Sequence, residues 1–273
     1  MAVPPRGLTP SAGWGVLHLF YRIERARWRG FAVEARAAAI EEFIGWLRGC
    51  MAEEDLQFVP LAGVTKYDVG FMAIHADLWR LQQLTQEIAG TALGSCLTPA
   101  YSFLSLTEAS EYITSELDWA KLLITEQQLD PAAPEFAERF ASLRKRTQTY
   151  ADSRIHPRLP ENYPLVCFYP MAKARRDQDN WYRLGFEERK RYMIAHGEAG
   201  RRFADRVTQL ITTCTGIDDW EWGVTLFSRD LKAIRDIVYE LRYDPASAIY
   251  GVFGSFYVGI RFPPEQLAVV LRL

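Results

Sequence analysis

VGFMAIHADLWRLQQLTQEI (residues 69–88) and WGVTLFSRDLKAIRDIVYEL (residues 222–241) form a weak internal echo. Each runs from a strand-like segment through an acidic cap into an amphipathic helix of similar length. Outward from the first copy, residues 14–21 (WGVLHLFY) read as a strand, and residues 31–47 as a helix. In that helix Phe31, Ala35, Ala38, Ile40, Phe43, Ile44 and Leu47 recur at helical spacing. Residues 56–64 and 67–75 read as two strands, 78–89 as a helix and 100–106 (AYSFLSL) as a fourth strand. The order is β-α-β-β-α-β, a split βαβ unit. Around the second copy the same order returns, with strands at 165–171, 204–213, 221–227 and 254–262 and helices at 186–202 and 229–241. Two such units are expected to pair their sheets into one α+β barrel with helices outside.

Residues 108–161 have a different texture: a helical start over 108–124, a Pro/Ala-rich break at 130–134, a charged helix over 135–147, then an extended SRIHPRLPENYP segment. The expected division is an N-terminal half (1–112), a linker with a helical insertion (113–161) and a C-terminal half (162–273).

At 273 residues the chain can bury a large core, and 49% hydrophobic with 24% charged residues is ordinary for a globular protein. A net charge of −2 gives no electrostatic footprint for nucleic acid. The basic run Arg144–Arg146 reads as a solvated helix face. Four scattered cysteines (Cys50, Cys96, Cys167, Cys214) without a CxxC pair fit a reducing compartment and no structural zinc. The leading MAVPPRGLTPSAG has no apolar segment of signal-peptide length, and no run approaches a membrane span. A cytoplasmic protein is expected.

Chemistry concentrates in residues 163–228. Strand alternation puts Tyr169, Met171 and Lys173 on one face, and Pro170, which cannot donate to a ladder, suggests an edge. The face reads as a buried tyrosine with a snorkelling lysine, or as a redox-active phenol beside a carboxylate-binding cation. On the following helix Tyr192, Met193, His196, Gly200 and Phe203 share a face. Glycines at 197 and 200 each cost about 1 kcal/mol against alanine in a helix. Either a flat, bulky group lies against that face, with His196 as a ligand, or His196 is a core histidine where the helix ends. Gln209, a lone amide among Val207, Ile211 and Thr213, needs a partner. His18, His75 and His156 read as structural or exposed. Gly-rich phosphate loops, G-x-S-x-G and H-E-x-x-H are absent, and Asp218–Asp219 reads as turn chemistry.

The run CFYPM-x-K, NWY-x-L-x-F-E-E-R, M-x-x-HG-x-x-GR and DD-x-EWGVTLFS, with GWGVLHLFYRI and PAYSFLSLTEASEY in the first half, resembles the chlorite-dismutase-like superfamily, and most of all its coproheme decarboxylase (HemQ) branch. The resemblance covers nearly the whole chain and weakens over about 113–150. It implies two ferredoxin-like βαββαβ halves forming a dimeric α/β barrel, a homopentameric ring, and a porphyrin held by the C-terminal half. His196 falls on the proximal iron ligand, Tyr169 on a radical-forming tyrosine, Lys173 on a lysine that serves the propionates, and Met171 on a neighbouring pocket position. Gln209 takes the distal position, where chlorite-degrading members carry arginine. Ser247 (in DPASAIY), Arg154 and Tyr112 match propionate-holding positions, while Asp152 replaces a second basic residue of some relatives.

The activity implied is peroxide-dependent oxidative decarboxylation of iron-coproporphyrin III (coproheme) to heme b, the last step of a heme biosynthesis route. Hydrogen peroxide would be the oxidant, and the pathway's iron-inserting enzyme a transient partner. A chlorite-degrading or peroxidase-like heme protein and a non-catalytic heme binder are the alternatives. The residues fit the first reading. Four propionates call for several cations and hydroxyls, a neutral imidazole suits iron, and glutamine offers a dipole where arginine would stabilise a developing anion.

Overall fold

The computed structural model describes residues 7–273, so the first six residues of the Pro/Gly-rich lead lie outside the described residues. The first half runs β1 (Gly15–Ile23), a short α1 (Arg25–Arg29), α2 (Val33–Ala52), β2 (Gln57–Gly63), β3 (Val69–His75), α3 (Leu78–Gly90) and β4 (Leu97–Leu106). An intervening segment carries α4 (Glu116–Lys121), a π-helical turn (Leu122–Glu126) and α5 (Pro134–Ile155). The second half runs β5 (Leu165–Lys173), α6 (Phe186–Arg201), β6 (Val207–Thr213), β7 (Trp222–Ser228), α7 (Leu231–Leu241), a one-turn α8 (Pro245–Ala248), β8 (Gly251–Phe253), β9 (Tyr257–Arg261) and a terminal α9 (Leu267–Leu271). Among the described residues, no helix is long and apolar enough to cross a membrane.

The strands form one antiparallel sheet in the order β7-β6-β4-β1-β3-β2-β9-β5-β8, and β7 also pairs with β5. Eight strands therefore close into a barrel, with β8 hanging from β5. The halves meet at two narrow seams. One is three residue pairs of β2 on β9, and the other the single pair Leu106–Thr213 of β4 on β6, where Thr212 also donates to the Ser105 hydroxyl at 2.8 Å.

The echo in the sequence is a true structural repeat. The acidic caps are Asp77 and Asp230, whose carboxylates accept from the amides of Trp79 (3.0 Å) and Lys232 (2.9 Å), satisfying donors that a helix start leaves unpaired. Gly70 and Gly223 hold matching places on β3 and β7. A Cβ at Gly70 would come within 2.8 Å of the Phe20 ring, and one at Gly223 within 2.5 Å of the Phe103 ring. Both glycines make room for aromatic rings inside the barrel.

That interior is filled from both halves, with Val16, Phe20, Met72, Ile74 and Phe103 meeting Val166, Phe168, Leu210 and Phe227. His18 is buried among them. It stacks on Phe168 at 4.1 Å and hydrogen-bonds the Thr225 hydroxyl at 2.9 Å, and burial pushes its pKa down to about 3, so it is neutral. His75 accepts from the Asp77 amide at 2.9 Å, and His156 packs on Trp14.

Outside the barrel the halves differ. In the first, α2 buries Ala39, Phe43, Ile44, Leu47 and Cys50 and α3 buries Leu81, Leu84 and Ile88 against the sheet. In the second, α7 buries Ala233, Ile234, Ile237 and Leu241, but α6, the counterpart of α2, buries only Gly200. The sheet beneath α6 is left uncovered, and a cavity fills the gap.

Several sequence expectations are corrected. The charged helix extends through Ile155, because nothing in the Gln-Thr-Tyr-Ala-Asp-Ser-Arg-Ile run breaks it before Pro157. Arg154 is thus in a helical last turn, not an extended segment. The helix expected over 108–124 begins only at Ser115, whose capping box with Asp118 fixes its start. The strand expected at 254–262 is β9, which starts at Tyr257 and is preceded by a short β8 that is not among the expected strands, and the one expected from 204 starts at Val207. β5 is no edge. Pro170 accepts from the Gly254 amide with its carbonyl (2.8 Å), so its missing N–H falls where β5's neighbour changes from β9 to β8.

Candidate functional site

The cavity has a volume of about 1490 Å³ and is bounded by the outer face of β5, β6 and β7, by α6, and by the 108–119 segment with α5. Strand alternation decides which side chains reach it. On β5, Phe168 points into the barrel, while Tyr169, Met171 and Lys173 point outward into the cavity; on β6, Gln209, Ile211 and Thr213 do the same. All eight residues singled out by sequence, Tyr169, Met171, Lys173, His196, Gln209, Ser247, Arg154 and Tyr112, line this one cavity.

His196 projects from α6. Its Nδ1 lies 2.8 Å from an Asp244 carboxylate oxygen, and Nε2 has no protein partner among the described residues. Asp244 also caps α8, accepting from the Ser247 amide at 3.1 Å, and the Ser247 hydroxyl is 3.5 Å from the same Nδ1. Burial pushes the Asp244 carboxyl up, but the His196 hydrogen bond, the Ser247 amide and the nearby Lys173 charge outweigh it and hold its pKa below the ordinary value. An ionised Asp244 fixes Nδ1 as the protonated nitrogen and leaves Nε2 a lone-pair donor.

Lys173 is almost fully buried. Its ammonium donates to the Ala246 carbonyl at 2.8 Å and sits 4.4 Å from the centre of the Trp181 ring, a cation–π contact. Burial pushes its pKa down to about 8, against the opposing pull of Asp244 and Glu221. The α8 turn therefore touches both functional groups, His196 through Asp244 and Lys173 through Ala246. Tyr169 stacks on Phe256 at 4.5 Å and burial pushes its phenol pKa up.

Gln209 reaches across the cavity to α6. Its amide nitrogen would lie 3.2 Å from a Cβ at Gly200, so that glycine serves the approach of the amide. Gly197 does not end the helix, which continues to Arg201. Arg154 donates to the Ile211 carbonyl at 3.1 Å, and its Nε is buried without a partner. The Tyr112 hydroxyl accepts from Arg189 at 3.2 Å.

The cavity is basic in a chain that is slightly acidic overall. Lys145, Arg146, Arg154, Lys173 and Arg201 line it against Glu108 and Glu111. The basic run expected to be a solvated face is divided: Arg144 pairs with Glu116 at 2.9 Å, whereas Lys145 and Arg146 turn to the cavity. Sequence reasoning missed Asp244 and Trp181. Asp-Pro at 244–245 is legible as an N-cap followed by proline at the first helical position, but nothing local ties it to a histidine 48 residues away.

A chlorite dismutase family model matches residues 36–262. The chain belongs to the chlorite dismutase family. A member from Halobacterium salinarum, named as a candidate heme-binding protein, is 36% identical over 259 residues, covering 93% of this chain and 49% of its own. The chain spans about half the length of that curated relative. Among solved structures, a heme-binding protein from Thermus thermophilus shares 36% identity over 100% of both chains with a TM-score of 0.79. A chlorite dismutase from Candidatus Nitrospira defluvii superposes over 96% of this chain and 95% of its own, with a TM-score of 0.70 at 17% identity, a likeness of fold.

Proposed function

We propose that the cavity binds an iron porphyrin and that the chain carries out the peroxide-dependent oxidative decarboxylation of iron-coproporphyrin III to heme b. One observation carries this reading. His196, oriented by Asp244, presents an unpartnered Nε2 to a large basic cavity, across from the sheet face that bears Tyr169, Lys173 and Gln209. Among the described residues no three His, Cys, Asp or Glu side chains gather as a metal cluster. A metal bound at His196 would therefore take its remaining donors from a ligand, as a macrocycle provides. The names of the Thermus and Halobacterium relatives support a heme-type ligand.

Each propionic acid arm, with one hydrogen peroxide, gives a vinyl group, one CO2 and two waters. When bound, the iron would supply the oxidising equivalents of peroxide. Tyr169 would lose an electron and its phenolic proton, take a hydrogen atom from the propionate β-carbon, and so return to phenol. As the C–CO2 bond breaks and the vinyl double bond forms, the second electron goes to the oxidising equivalent remaining from peroxide, and the protons leave in the two waters. Lys173 would hold the reacting carboxylate in place through a charge-assisted hydrogen bond. Gln209 presents a neutral amide, which gives little stabilisation to an oxychlorine anion and so favours this reaction over chlorite breakdown.

The test is to mix the protein with coproheme and peroxide and follow the porphyrin mass. Two successive losses, each of CO2 plus two hydrogens, are expected, with two peroxides consumed. Tyr169→Phe is expected to bind coproheme and stop the mass change. Wild-type rates in that variant, rapid oxygen release from chlorite, or an unchanged porphyrin mass in the wild type would each overturn the reading.

A further inference from the structure

The side of α5 that faces the cavity carries donors with nothing to bind. Ser142, Lys145, Arg146, Thr149 and Tyr150 all line the cavity, at the three- and four-residue spacing that forms one helical face. Among the described residues, none of their side chains has a hydrogen-bond or ion-pair partner. The rest of the helix behaves differently. Arg139 is held by Glu135 and Gln127, Arg144 by Glu116, Gln148 by Asp152, and Thr147 by Trp119. A half-buried stripe of Phe136, Phe140, Leu143, Thr147 and Ala151 sets how α5 turns, and the five donors lie beside it, exposed. The idle face carries cations and hydroxyls and no carboxylate.

We infer that this face of α5 is a carboxylate clamp, with Arg146 its principal cation, that holds the two propionates left unreacted in the product. The inference rests on the iron-porphyrin reading of the cavity and adds residues to it. Lys173, beside Tyr169, is deep in the cavity, where a reacting arm must go. The α5 residues line the same cavity but are exposed to solvent, and there arms that stay intact find three hydroxyls and two cations. Interactions made equally with substrate, transition state and product change KM and leave kcat alone. The clamp is thus a binding device, and Arg146 is not a catalytic residue.

The experiment titrates the full chain with iron-coproporphyrin III and with heme b, following the porphyrin absorption band, and measures turnover with peroxide. Arg146 is exposed and unpaired, so its replacement leaves the fold intact. Arg146→Glu is expected to weaken both porphyrins by about tenfold, as losing a charge-assisted contact and gaining a like charge requires. The neighbouring Arg144→Glu, with the same charge change on the outer side, is expected to shift binding by less than about twofold. Arg146→Ala is expected to raise KM for coproheme without changing kcat. Equal weakening by Arg146→Glu and Arg144→Glu, no weakening by either, or a fall in kcat for Arg146→Ala would overturn the clamp. If the wild type binds neither porphyrin, the reading of the cavity falls and the clamp with it. If the wild type binds both and the Arg146 variants match it, only the clamp falls.

Discussion

Burial of the Lys173 ammonium, with 6% of the residue exposed, is a cost that the fold carries for its site. The pKa falls from 10.5 to about 8 because desolvation outweighs the attraction of Asp244 and Glu221, the two carboxylates that face the amine. Between about pH 8 and 10.5 the unfolded chain keeps a proton that the folded chain has released. Stability therefore rises with pH across that window, and below it the charged lysine costs the folded state about 3 kcal/mol. Lys173→Met, a similar volume without charge, is expected to stabilise the ligand-free protein at pH 7 by about 1–3 kcal/mol after the lost Ala246 hydrogen bond is counted. Chemical denaturation of both proteins at pH 7 and pH 10 checks this, and the gap should shrink at the higher pH. A gap of the opposite sign at pH 7 would show that the lysine is there for stability. Alternation along CFYPMAK was enough to put Lys173 beside Tyr169 on one face. Its low pKa was not legible, because the groups that set it, Trp181, Glu221 and the α8 turn, converge only in three dimensions.

At the scale of elements, α6 carries the main design decision. It repeats the position of α2 but stands off from the sheet, and Gly200 is its point of close approach, to Gln209. Gly200→Ala sets two effects against each other. Helix propensity favours alanine by about 1 kcal/mol, while the new methyl would meet the Gln209 amide at 3.2 Å. The amide is the far end of a flexible side chain and moves at little cost, so propensity wins in stability. The variant is expected to melt no lower than wild type while the proposed peroxide-driven turnover of coproheme changes, because Gln209 no longer holds its place. In a Gln209→Ala background, adding Gly200→Ala should have no further effect on turnover, a non-additivity that a double-mutant cycle detects. Additive effects would separate the two residues. The sequence showed that glycine at 200 needed a reason, and it showed the strand and helix order throughout both repeats. It did not show which partner required the glycine, nor how far α5 extends. Helix length there is set by where a capping or breaking residue finally occurs, and the apolar stripe of α5 thins after Leu143 to Thr147 and Ala151, so it does not mark the end.

For the whole molecule, the closed barrel makes the two repeats interdependent in a way that their separate βαββαβ orders conceal. Each repeat has its own outer cluster, centred on α2 and α3 in one and on α7 in the other. The barrel interior belongs to both. Phe20, Met72 and Phe103 from the first repeat pack in one cluster with Phe168, Leu210 and Phe227 from the second. Fully burying one such side chain contributes about 1.5–3 kcal/mol, so exposing six removes about 9–18 kcal/mol, as much as the roughly 5–15 kcal/mol by which a domain is ordinarily stable. Neither repeat is then expected to fold alone. The connection at residues 127–133 is different, being exposed and free of sheet contacts, with Gln128 at a positive φ of 52°. A protease nick there is expected to leave the barrel and its cavity intact, because both seams and the shared core survive the cut. The two pieces expressed separately should show no cooperative unfolding, and mixed after denaturation they should regain it together. Circular dichroism with thermal melts of the nicked, separate and recombined pieces reads all three states. A cooperative melt from either piece alone would mean that the outer clusters suffice and that the barrel interior is filled only after each repeat has formed.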